Sequence, residues 1–185
     1  MNLFEFLMVL VSLIIGLGIA ELLSGIAQTI RNRETTKLYW KHVVFVIIVF
    51  LALLQQWWEI WGIRDTPSWS FPGLLMMLGG PIGLFLIAHL LFPHPIFRAD
   101  FKAYYYNKMK PALWVGVLTV IISGTFRPVI LGSELFALDN LTSFLLVVIF
   151  ICMTITKKSW FHGVMVILIL LGILADILLV NSKIQ

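Results

Sequence analysis

Long apolar runs separated by short polar intervals dominate the chain. On a window matched to a hydrocarbon core about 30 Å thick, six apolar segments emerge, at about residues 4–27, 42–61, 71–92, 112–131, 135–155 and 160–180. Backbone polar groups in lipid must pair within their own segment, so each run is expected to be a helix. The pattern therefore predicts an all-α polytopic membrane protein, with residues 1–185 forming a single domain of six transmembrane helices. Gly132 and Ser133 separate the fourth run from the fifth, and Lys157, Lys158 and Ser159 separate the fifth from the sixth. Tight antiparallel hairpins are expected there. The opening run has no basic leader and no small-residue cleavage site, so it is expected to stay as the first span.

The third interval is longer. After Pro93 and Pro95, Phe97, Phe101 and Tyr104 recur at helical spacing, while Arg98, Asp100, Lys102 and Asn107 occupy the remaining positions. With Pro95 at the first helical position, residues 96–110 are expected to form an amphipathic helix in the headgroup layer, as a strut or as a docking surface for a partner.

Charge gives the pattern a direction. Hydrophobic residues make up 61% of the chain and charged residues 12%, against roughly 25% charged in soluble domains. The net charge of +4 sits beside the spans rather than in a basic tract, which argues against a nucleic-acid partner. Arg31, Arg33, Lys37 and Lys41 flank the first interval, Arg98, Lys102, Lys108 and Lys110 the third, and Lys157 and Lys158 the fifth. The opposite side has Arg64, Lys183 and Arg127. Basic loops stay cytoplasmic, so both termini are expected outside and the amphipathic helix inside. The lone cysteine, Cys152, lies within a span, is expected to pack, and allows no intrachain disulfide.

Polar residues inside spans are costly to bury and mark the places where function resides. Two layers result. The inner one holds Glu21, His42, His89, His94 and His162. A Glu21–His89 pair is the sharper expectation. Metal ligation by His42, His89, His94 and His162 is weaker, because no two lie one turn apart and Pro93 interrupts the helix between His89 and His94. No metal and no cofactor is therefore expected. The outer layer holds Gln55, Gln56, Glu59, Arg127 and Asp176, with an ion pair expected from Arg127 to Glu59 or Asp176. Ser12, Gly16, Ala20 and Ser24 recur every four residues in the first span. Small residues at this spacing predict a packing seam, within the bundle or between copies of the chain. Trp57, Trp58, Trp61 and Trp69 are placed at the outer interface, and Tyr39, Trp40 and Trp160 at the inner.

Nucleophile-elbow, zinc-protease and phosphate-loop motifs are absent, and Ser123-Gly124 has no histidine at its depth. No catalytic residue is assigned. Three stretches resemble a group of small bacterial inner-membrane proteins: Gly16-Leu17-Gly18-Ile19-Ala20-Glu21-Leu22-Leu23, the pair Trp57-Trp58, and Leu91-Phe92-Pro93 followed by Phe101-Lys102-Ala103-Tyr104-Tyr105-Tyr106. His94 and Pro95 depart from the acids that follow the Phe-Pro in that group. The group has no assigned activity, so the resemblance implies a multi-pass bacterial cytoplasmic membrane protein and transfers no site residue. The function expected first is a channel or transporter-like subunit for a small ion or solute, in a lipid bilayer and with another copy of itself or a membrane protein as the expected partner. Second comes a non-catalytic signalling or assembly subunit holding a membrane-protein partner through residues 96–110, and third a membrane-embedded lipid- or metal-dependent enzyme.

Overall fold

Dense leucine, isoleucine, valine and phenylalanine give these segments helical backbone throughout. The computed structural model describes residues 3–64, 69–131 and 138–179, without the side chains of residues 3, 127, 130, 131, 138–141 and 179. The described residues form seven α-helices: α1 (Leu3–Arg31), α2 (Trp40–Ile60), α3 (Phe71–Leu90), α4 (Phe101–Lys108), α5 (Lys110–Leu131), α6 (Leu138–Ile155) and α7 (Ser159–Leu179). A 3-10 turn, Trp61–Ile63, continues α2. Ser70 Oγ accepts the Gly73 N–H at 3.2 Å to start α3, with Pro72 in its first turn where a missing N–H costs nothing.

Among the described residues, four helices are long and apolar enough to cross a bilayer, over Phe4–Arg31, Trp40–Ile63, Phe71–Leu90 and Ser159–Leu178. A fifth is available if α4 and α5, joined at a 57° bend, act as one broken span. Of α6, the stretch with described side chains, Thr142–Ile155, is apolar. The expected Gly132-Ser133 turn lies outside the described residues.

The third connection differs from its expectation. Helix begins at Phe101 rather than beside Pro95, because Asp100 caps it: its Oδ1 accepts the N–H groups of Lys102 and Ala103, each at 2.9 Å. Residues before it are held extended by a bridge to the first connection, with Lys37 N–H donating to Ala99 O (2.9 Å) and Phe101 N–H to Lys37 O (3.0 Å). Phe97 is exposed on that loop and shares no helical face with Phe101 and Tyr104. The inward residues of α4 are Phe101 and Tyr105.

α3 is the most enclosed of the four long helices and packs mainly on α5 and α1. Its glycines let it approach α5 closely: a Cβ on Gly83 would lie 1.9 Å from Thr119 Oγ1, and one on Gly79 2.5 Å from Ile122 Cγ2. Without side chains between them, the α3 and α5 backbones meet at a distance where dispersion and weak polar contacts hold helices together in lipid. α6 lies on α5, with Phe150 over Gly116 and Ser143 beside Gly124. α7 leans on α2 and only lightly on α6, so the last hairpin is more open than expected.

Candidate functional site

Three connections rich in Lys and Arg meet at one end of the bundle. Lys37 bridges the first to the third, and Lys41 ties the start of α2 to the start of α7. Lys41 is almost fully buried, its Nζ donating to Ser159 O, to Ser159 Oγ at 2.7 Å and to Tyr106 OH at 3.3 Å. The Tyr39 and Trp40 rings lie 5.6 and 5.5 Å from that ammonium. In the sequence Lys41 counts only as a topology charge; in the fold it is an internal tie.

The inner layer of polar residues divides in two at this end. His42 and His162 are buried struts. His42 Nε2 stands 2.7 Å from Leu91 O. His162 uses both ring nitrogens, Nε2 to Thr156 O at 2.6 Å and Nδ1 to Tyr105 OH at 3.2 Å. With Nε2 protonated, each imidazole donates to its carbonyl, and His162 Nδ1 is left to accept from Tyr105.

Glu21, His89 and His94 form the other half. Glu21 lies about 27 Å along α1 from its first residue. His89 is the penultimate residue of α3. Its Nδ1 is 2.8 Å from Glu21 Oε1, joining α1 to α3, and the two side chains are 54% and 31% exposed. The His94 ring stands 5.6 Å from that of His89, tilted by 31°. One potential ligand atom from each of the three residues lies within 4.8 Å of the other two.

Local sequence explains this convergence. α3 ends at Leu90, before Pro93, and its last carbonyls need partners from outside the helix. Tyr104 OH donates to Leu90 O at 2.9 Å, with Phe92 O at 3.3 Å, and His42 takes Leu91 O. The buried Leu91 and Phe92 turn the chain inward, and Phe92 packs directly on Gly25 of α1. His94 thereby returns to the His89 end of α3. Sequence spacing hides this grouping because Pro93 interrupts the helix between the two histidines; Leu-Phe-Pro as an inward turn is the available signal.

The outer layer is also joined. Gln55 Nε2 donates to Glu59 Oε1 at 2.9 Å, one turn on, and to the Asp176 carboxylate of α7. Beside it, Gln56, Glu59, Met76, Met77, Ser123 and Phe126 line a cavity of about 60 Å³ between α2, α3 and α5. Among the described residues, Ser123 Oγ is the one buried side-chain polar atom without a hydrogen-bond partner. Arg127 follows Ser123 by one turn of α5; its side chain, and hence the expected ion pair, lies outside the described residues.

The small-residue strip of α1 faces outward. Ser12, Gly16, Ala20 and Ser24 are all exposed, and nothing lies within 4 Å of a Cβ on Gly16. The face that packs in the bundle is instead Val11, Ile15, Gly18, Leu22 and Gly25. On α4, burial of Phe101 and Tyr105 leaves Lys102, Ala103, Asn107 and Lys108 at the surface.

No protein-family model, no curated protein and no solved structure matches this chain. The apolar helices make it a multi-pass membrane protein.

Proposed function

We propose that the chain is a channel or transporter-like subunit that passes a small cation through a six-span bundle in a cytoplasmic membrane of bacterial type. The observation that carries this is the outer polar layer. Gln55 joins two carboxylates, Glu59 and Asp176, next to a cavity where Ser123 Oγ has no described partner. Acids and amides gathered at one level among apolar helices are the residue types that mark ion and solute pathways in membrane proteins. Convergence of the three basic connections at one end supports cytoplasmic placement of that end and external termini. The outward strip of Ser12, Gly16, Ala20 and Ser24 supports association of copies through α1.

Docking of a partner through residues 96–110 is the weaker alternative, since the aromatic anchors Phe101 and Tyr105 face the bundle. The transport reading is tested by cation flux into proteoliposomes. Wild type is expected to conduct, and Glu59→Gln and Asp176→Asn to lose most of the flux. Silence of the wild type toward every monovalent and divalent cation tried, or flux that both variants leave unchanged, would overturn it.

A further inference from the structure

We propose that Glu21, His89 and His94 bind a divalent transition-metal ion of the zinc class at the basic end of the bundle. The site is separate from the outer layer and does not depend on the transport reading. Two imidazoles and one carboxylate suit borderline cations such as Zn²⁺, Co²⁺, Ni²⁺ and Fe²⁺; Mg²⁺ and Ca²⁺ favour all-oxygen ligand sets.

The geometry is close to what such an ion needs. Ligand atoms around a tetrahedral zinc lie about 3.4 Å apart, from metal–ligand distances of about 2.0–2.2 Å. The three candidate atoms already fall within 4.8 Å of one another, and the His89–Glu21 edge is 2.8 Å. The remaining closure falls on His94, an exposed side chain outside the helices. The backbones beneath are fixed from three directions, by Phe92 on Gly25, by His42 on Leu91 O and by Tyr104 on Leu90 O. Support of this kind holds ligands in place before the ion arrives.

Chemistry points the same way. Glu21 is the sole ionisable residue of α1 between Glu5 and Arg31, on a helix whose neighbouring positions Leu17, Leu23 and Ile26 are exposed as they would be to lipid. A carboxylate there is expensive, and a bound dication offsets its charge. The chain's other two histidines are buried and bonded to backbone carbonyls, so His89 and His94 are the pair left to ligate. Three protein ligands leave a fourth position to water, which is the mark of an open, exchangeable site rather than a closed structural one.

The test uses the full chain in detergent, freed of any affinity tag and stripped with chelator, then titrated with Zn²⁺ and separately with Co²⁺. One ion per chain is expected, with the visible absorption of four-coordinate Co²⁺. His94→Ala, His89→Ala and Glu21→Gln should each weaken binding by at least the roughly 10–100-fold that even outer-shell partners contribute, while circular dichroism and elution volume stay as in wild type. His94→Ala is decisive, because His94 belongs to no helix and its loss leaves the bundle intact. Absence of stoichiometric binding, binding indifferent to His94→Ala and His89→Ala, or equal displacement by Mg²⁺ would each overturn the proposal.

Discussion

Gly25 of α1 lies under the ring of Phe92, so close that a Cβ on Gly25 would stand 2.3 Å from Phe92 Cδ2. Non-bonded carbons do not approach so closely, so either the ring or the helix must move. Phe92 is buried, which leaves the ring little freedom. Gly25→Ala is therefore expected to push α1 from the end of α3, costing about 1–3 kcal/mol as other overpacked substitutions do, and to separate Glu21 from His89. Gly16→Ala, with nothing of the same chain within 4 Å of its added methyl, should carry no such cost and gain the higher helix propensity of alanine. Equilibrium unfolding of both variants in detergent checks the contrast; equal effects would refute the packing account.

His42 supplies the donor that satisfies Leu91 O, at 2.7 Å, and its ring lies 4.6 Å from Phe101 and 5.7 Å from Phe92. His42→Phe should retain most ring packing and orphan the carbonyl, at about 1–3 kcal/mol. His42→Ala should lose both, roughly 2–4 kcal/mol in all. Equilibrium unfolding measures both; a His42→Phe variant as stable as wild type would show that the hydrogen bond to Leu91 O is not what secures this turn.

Lys41 has hydroxyls and a carbonyl as its hydrogen-bond partners, and its stem lies over Gly163, 3.3 Å from a Cβ there. Hydrogen bonds to a charged group contribute about 1.5–3 kcal/mol. Lys41→Met keeps the stem and loses the ammonium, so a destabilisation of that size is expected. Ser159→Ala should cost less, about 1 kcal/mol, because the carbonyl that Lys41 also reaches remains. Thermal unfolding that ranks Ser159→Ala below Lys41→Met in stability would contradict this.

The helices were legible in the sequence because one physical demand, pairing of backbone groups within an apolar run, acts on every residue of a span. The α1, α2, α3, α5 and α7 limits accordingly fall close to those predicted, while six crossings exceed the four or five that length and apolarity establish. Faces were less legible. On α1 small residues at positions 12, 16, 20 and 24 predict a seam within the bundle or between copies; within the chain the packed positions are 11, 15, 18, 22 and 25, which leaves that strip on the outer face. In a helix bathed by lipid both faces are apolar, so hydropathy cannot say which is inward. The true close approach, Gly79 and Gly83 against α5, had the same small-residue spacing on another helix. The Glu21–His89 contact was anticipated from depth alone, because two polar groups at one level in an apolar medium have few other partners. His94 and Lys41 needed the fold, since their neighbours come from connections whose path no periodicity encodes.

Asp100 couples the stability of the α4 start to pH. The backbone N–H of Ala103 foremost, then that of Lys102, holds its carboxyl below the ordinary carboxylate range, and the nearby Lys37 and Lys102 act in the same direction. A folded-state value below the unfolded one means that the unfolded chain takes up the proton first as pH falls. The cap therefore contributes fully above the ordinary aspartate value of about 4 and fades as pH drops through the lowered folded one. Asp100→Ala should unfold at a lower temperature than wild type near neutral pH, and the gap should close in strong acid. Asp100→Asn, whose amide oxygen can still cap α4 but does not titrate, should lie between the two at neutral pH. Melting curves in detergent at several pH values measure the gap directly; a difference between Asp100→Ala and wild type that is constant across them would exclude the cap as its source.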